Sequence, residues 1–196
     1  MTPRLVILYE DARGPLQRFP LDDLVVKSAS DFSSLQIREL FQRIIKVPKK
    51  GVSNVLGDVR NGERFLGGGA RLLVWVDNDR IRRALQLPSA CARETVIAKI
   101  KALAPVAYDK TRPKPLDVFL LDDNLEDLLR CVSGRLDAAL LEKAITKRLD
   151  ARDTLLDDIG RDPKLRAELR ANHAGFDCVS RFVACVAAMH PWPVPP

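Results

Sequence analysis

At 196 residues, with 46% hydrophobic and 30% charged side chains, the chain has the composition of a soluble globular protein, long enough for one substantial core and short for two independent domains. No run of about 18 apolar residues is present, so a membrane-spanning helix is excluded; the first residues lead straight into a strand without a signal peptide, and a cytoplasmic location is expected. Thirty-two Lys and Arg against 26 acids leave +6, which permits nucleic-acid binding without requiring it.

In chain order, the unbroken apolar run before Glu10 predicts a strand over 4–10, covered on both faces. Residues 11–20 carry Gly14, Pro15 and Pro20 and read as a loop, and 21–26 as a short extra strand or turn. Ser33 or Ser34 can cap a helix over 35–45, with Ile37, Leu40, Phe41, Ile44 and Ile45 on one stripe and Pro48 ending it. A short strand is a candidate at 51–56, followed by a glycine-rich loop over 57–69. Gly67 to Gly69 lack the Gly-Lys-Ser/Thr and the following helix of a phosphate loop, so they read as a flexible approach to the next strand.

That strand, 71–76, runs into Asp77-Asn78-Asp79. Helices are expected over 81–87 and 91–103, then a proline-rich connection over 105–115 and a fourth strand over 116–121 ending in Asp122 and Asp123. From Asn124 to Met189 the spacing is helical throughout, with Asp162-Pro163 as a capped helix start. The architecture expected is α/β: a small parallel sheet flanked by helices over 1–123, with a helical half over 124–196 packed on it. Phe176, Phe182 and Val186 carry apolar surface expected to pack on the sheet or to form a subunit interface. Cys91, Cys131, Cys178 and Cys185 form no Cys-x-x-Cys pair and read as buried free thiols in a reducing compartment.

Three strands thus deliver acids to one edge, and in a parallel α/β sheet ligands gather outside the carboxyl ends of the strands. Like charges held close raise one another's pKa values, and a divalent cation relieves them. Oxygen ligands in an open site suit Mg²⁺ or Mn²⁺, which can neutralise charge building on a phosphodiester. Only two histidines, His173 and His190, are present, so a histidine-based hydrolase has little support. The plain alternative is that Asp79, Asp122 and Asp123 merely cap the helices that follow.

Parallel topology also sorts the cations. Arg13 follows the first strand, Arg60 and Arg64 the second, and Arg80, Arg82 and Arg83 the third, which puts them at the acidic edge as candidate phosphate contacts. Lys49, Lys50, Lys110, Arg112 and Lys114 precede strands and are expected at the opposite edge. An aromatic content of 6% argues against a base-stacking platform.

A glutamate ending the first strand (Tyr9-Glu10) and an Asp-x-Asp ending the third (Val76-Asp77-Asn78-Asp79) resemble the Toprim (topoisomerase-primase) domain, in particular the small Toprim-like proteins related to OLD-type nucleases of bacterial antiviral defence. The resemblance covers about residues 4–126 and implies Glu10 as general acid/base or metal ligand and Asp77 and Asp79 as ligands of Mg²⁺ or Mn²⁺. A later acidic motif of those proteins matches 121–126, with Glu126 as the implied ligand. One departure is that this chain follows Glu10 with Asp11-Ala12-Arg13-Gly14, where such families often have a glycine and further polar residues. The functions implied are a metal-dependent nuclease or nuclease-derived subunit acting on nucleic acid, with Arg13, Arg60, Arg64, Arg80 and Arg83 on the phosphates. The alternative is a non-catalytic interaction subunit of a defence or toxin–antitoxin complex, meeting a protein partner or a second copy through its helical half.

Overall fold

The computed structural model describes residues 4–10, 20–61, 70–104, 116–121, 125–132, 134, 136–146 and 149–189. The loops expected at 11–19, 62–69 and 105–115, with Arg13 and Arg64, and the acids Asp122 and Asp123, lie outside the described residues. The chain divides into two compact units, one of residues 1–17, 41–122 and 189–196 and the other of 18–40 and 123–188. The stretch 18–40 thus groups with the helical residues, although sequence alone places it in the α/β part.

The first unit holds a four-stranded, all-parallel sheet in the order β2-β1-β3-β4. Its strands are β1 (Leu5–Glu10), β2 (Ile44–Lys49), β3 (Arg71–Asp77) and β4 (Leu116–Leu121). The three strands read from acid-tipped apolar runs are consecutive neighbours, as expected. β1 and β3 are central and buried over Leu5 to Tyr9 and Leu72 to Val76, which is why their sequences are apolar without alternation.

One face of the sheet shows the two-residue period clearly. Val6 and Leu8, Leu72, Val74 and Val76, and Leu116, Val118 and Leu120 pack with α3 (Val52–Arg60), with Ile81 and with α5 (Arg93–Leu103) in a single apolar core. Helix α3 supplies Val52, Val55, Leu56 and Val59, an i, i+3, i+4, i+7 stripe. At the open end of the sheet Arg71 donates to Asp117 at 3.0 and 2.6 Å, tying β3 to β4.

Three expectations are corrected here. Residues 51–56 are not a strand but the start of α3, because their apolar spacing is helical and tertiary burial of that stripe outweighs the glycines on either side. The helix expected over 35–45 stops early: α2 is Ile37–Arg43, and β2 begins at once with Ile44. Pro48 sits within β2, tolerated because β2 is an edge strand and the missing N–H costs no ladder bond there. Residues 21–26 are not a strand either, but part of α1 (Pro20–Ser30), with proline at the helix start, where its missing N–H costs nothing.

Gly51 precedes α3 with φ 86° and ψ 151°, a conformation open almost only to glycine. An added Cβ would meet nothing within 4 Å, so a side chain there is opposed by the backbone alone. Gly51→Ala is expected to cost about 2 kcal/mol, measured as a lower urea midpoint with an unchanged slope. An unchanged midpoint would mean that the turn relaxes without cost.

The second unit is helical: α1, α6 (Leu125–Arg130), α7 (Ala138–Ile145), α8 (Leu149–Arg161), α9 (Pro163–Asn172) and α10 (Ala174–Ala188). Asp162 caps α9 as expected, accepting from the Lys164 backbone N–H at 2.7 Å, with Pro163 in the first turn. Helix α1 packs against α8, α9 and α10. Phe176, Val183 and Val186 are buried, Phe182 half-buried, in a helix that packs on α1 and α9. The apolar stripe assigned to a sheet or subunit contact is therefore largely covered by the helical unit itself, since residues 20–30 provide a helix that the sequence reading lacked.

A charged cluster fastens α1 to α9. Arg166, 8% exposed, donates Nε and Nη2 to the two Asp31 oxygens at 3.0 and 2.7 Å and Nη1 to the Gly160 carbonyl at 2.7 Å. Arg170 adds a bond to Asp31 at 2.6 Å and one to the Ser28 hydroxyl at 2.8 Å. Burial pushes the Asp31 pKa up, but the hydrogen bonds and charges of Arg166 and Arg170 outweigh it and hold the carboxyl below its ordinary value. Phe32 lies under two guanidiniums, those of Arg170 and Arg181, at 4.8 and 4.2 Å. No disulfide joins any of the four cysteines; Cys91 and Cys131 are half-buried, and Cys178 and Cys185 are exposed rather than buried. Among the described residues no helix is long and apolar enough to cross a membrane.

Candidate active-site edge of the sheet

β1 and β3 run side by side in register from Leu5 opposite Arg71 to Tyr9 opposite Trp75, so Glu10 and Asp77 emerge together at the carboxyl edge. Asp77 precedes α4 (Asn78–Ala84) as its N-cap residue but makes no capping hydrogen bond with its side chain. Asp79, for which capping is the plain alternative, lies in the first turn of α4 and is not its N-cap residue. One turn on from Asp77, Arg80 lies between Glu10 and Asp77, its Nη1 donating to Glu10 Oε1 at 2.9 Å and its Nε 3.5 Å from Asp77 Oδ2. Burial works against the Arg80 charge, but the Glu10 hydrogen bond and the charges of Glu10, Asp77 and Asp79 outweigh it and hold its pKa above the ordinary value.

The two carboxylates differ in surroundings. The Glu10 side chain is only 12% exposed, and its second oxygen, Oε2, is buried with no hydrogen-bond partner among the described residues. An orphaned carboxylate oxygen in a buried position carries a desolvation cost that a cation or a donor would remove. The Asp77 side chain is 32% exposed. With formal charges of −1, −1 and +1, the trio of Glu10, Asp77 and Arg80 retains a net −1. Hard oxygen donors, a residual negative charge and an unpartnered oxygen fit a divalent cation such as Mg²⁺ or Mn²⁺.

The other predicted site residues fall differently. Asp79 belongs to the first turn of α4, where its side chain is 70% exposed and paired with Arg83 one turn later. Glu126 lies in α6, but its side chain is outside the described residues. Among the described residues no group of three or more His, Cys, Asp or Glu is placed to hold a metal ion. Arg60 is an exposed residue in the last turn of α3 and not part of a loop leaving a strand. The Lys49 placement is corrected: it ends β2 in register with Glu10, on the acidic edge, and its Nζ lies 2.6 Å from Asp58.

Arg93 is a residue that sequence reasoning missed. It opens α5 and donates to the Leu120 carbonyl at 2.6 Å, next to Leu121, the register partner of Asp77. An arginine at the start of a helix opposes the helix dipole, and that mismatch is the signal by which it could have been found.

A four-stranded parallel sheet with acids and arginines at its carboxyl edge places the chain among α/β proteins. No protein-family model matches the chain, and no curated protein matches it. Among solved structures, the C-terminal region of the OLD protein of Xanthomonas campestris pv. campestris is similar at 17% identity, with a TM-score of 0.32, over 99% of this chain and 89% of that one.

Proposed function

We propose that the chain is a Toprim-like nuclease or nuclease-derived subunit that depends on Mg²⁺ or Mn²⁺ and acts on nucleic-acid phosphodiesters in antiviral defence or DNA processing. The observation that supports it most is the convergence of Glu10 and Asp77 on one guanidinium, with one Glu10 oxygen buried and unpartnered. In this reading Glu10 and Asp77, with Asp79, hold the ion, which when bound supplies charge neutralisation for the phosphodiester and a more acidic water. Asp79 can turn inward at little cost, since its exposed partnership with Arg83 is weak. Arg80 and Arg83, both on α4, are the candidate contacts to the phosphates.

Incubation with single- and double-stranded DNA and RNA tests it. Cleavage is expected with Mg²⁺ or Mn²⁺, none with chelator, and loss on the order of a hundredfold or more in Glu10→Gln. Intact substrates under every metal condition would overturn the enzymatic reading.

A second reading is favoured by Arg80 itself, which already offsets half the carboxylate charge without a metal. On that reading the chain is a Toprim-like interaction subunit of a defence or toxin–antitoxin complex, and the acid edge is a structural ion pair. Metal would then leave the melting temperature unmoved.

A further inference from the structure

The guanidinium of Arg80 occupies the ground that a cation shared by Glu10 and Asp77 would take. It touches both carboxylates at once through two different nitrogens, Nη1 on Glu10 and Nε towards Asp77. Its side chain is nevertheless 52% exposed, so it reaches the acids from the solvent side. Glu10, at 12% exposure, has little water to replace it. Two like charges at adjacent strand ends, one of them poorly hydrated, need a counter-charge in every state of the protein.

We propose that Arg80 is a built-in counter-cation that balances Glu10 and Asp77 in the metal-free protein and is displaced into solvent when a divalent ion binds, where its guanidinium becomes available to a phosphate oxygen of the substrate. The inference rests on the metal reading given above and adds the control of that site. The exchange replaces one positive charge by two, so the pair that Arg80 leaves at net −1 is neutralised in full. An arginine does not lose its proton, so it can yield the carboxylates only by moving. The short run from Asp77 to Arg80 keeps the side chain anchored one helical turn away whichever way it points. Displacement also changes what the group can do. A guanidinium held by carboxylates is a poor phosphate ligand, whereas a released one presents its planar fork to phosphate oxygens.

The test is metal affinity, read by calorimetry with Mn²⁺ alone, in the full chain. Arg80→Gln keeps the aliphatic stem and an amide donor but removes the charge, and it is expected to bind Mn²⁺ at least tenfold more tightly than wild type. Without metal its melting temperature should fall below that of wild type, and the gap should close at saturating Mn²⁺. In the wild-type protein the Arg80 Nε–H resonance is expected to shift to that of a solvent-exchanging guanidinium on saturation with Mg²⁺, which tests the displacement even if the variant folds poorly. Equal Mn²⁺ affinity in both proteins, or an Nε–H signal unmoved by bound Mg²⁺, overturns the role of Arg80 and leaves the metal site standing. Absence of Mn²⁺ binding in both proteins overturns the metal reading and this inference with it.

Discussion

Asp77→Asn is expected to abolish the thermal stabilisation conferred by Mg²⁺ or Mn²⁺ and, with it, metal-dependent cleavage. A ligand at about a hundred times its dissociation constant stabilises the native state by about 2.7 kcal/mol. For a chain of this size that raises the melting temperature by roughly 5–10 °C. The substitution should remove that rise while leaving the metal-free fold close to wild type, for three local reasons. Asparagine has the same shape, it is as good an N-cap residue as aspartate, and the side chain is 32% exposed, with Arg80 as far as 3.5 Å from it. Differential scanning fluorimetry with and without metal reads the first effect, and a gel assay on nucleic acid the second. A metal-induced rise that persists in Asp77→Asn would remove this residue from the site.

The second large effect belongs to the helical unit. Arg166→Ala removes a nearly buried guanidinium that serves both Asp31 oxygens and the Gly160 carbonyl. Breaking a buried pair from one side costs about 3–5 kcal/mol. Because Arg170 still holds Asp31, a loss of about 3 kcal/mol is expected here. The same carboxylate gives the cluster a pH signature. The Asp31 pKa is depressed in the folded state, so its contribution is fully present above the unfolded value near 3.8 and is lost as pH falls below it towards the folded pKa. Urea titrations at neutral pH and in that acid window should therefore show wild type and Asp31→Asn converging as the pH drops. A constant gap between them would mean that the charge on Asp31 contributes nothing.

Particular elements explain what could be read from the sequence. β1 and β3 were legible because burial on both faces leaves unbroken apolar runs, and β4 because Asp117 alone interrupts its run. β2 was not: Ile44 and Ile45 continue the stripe of Ile37, Leu40 and Phe41 in helical phase, and Pro48 argues against a strand unless the strand is known to be an edge. That edge position is set by long-range pairing with β1, which no local window contains. α1 and α3 did carry helical spacing, at Leu21, Leu24, Val25 and at Val52, Val55, Leu56, Val59, but β-branched residues and flanking prolines or glycines masked it.

The site divides the same way. Glu10 and Asp77 could be brought together on paper, since strand ends in a parallel sheet share an edge. Their joint partner could not. Arg80 was legible as a cation at that edge, and only coordinates show it turned onto the carboxylates rather than outward like Arg83. Lys49 falls at the wrong edge in the sequence reading because the strand is placed after it, at 51–56, whereas it ends one. Asp79 and Arg83 are four apart on one helix, so their pairing was available from spacing alone.

The interrupted course of the helical unit sets a clock during synthesis. All four strands have left the ribosome by Leu121, whereas α1, made near the start, has its packing partners in α8, α9 and α10, which begin about 120 residues later. At bacterial or eukaryotic elongation rates that is a wait on the order of ten seconds. Throughout it Leu24, Val25, Val26 and Ala29, all at most 1% exposed in the finished protein, have none of those helices to pack against. A nascent chain of this topology therefore carries an apolar helix without its packing partners after the strands of the sheet are already made, and its vulnerability to aggregation is concentrated in that interval.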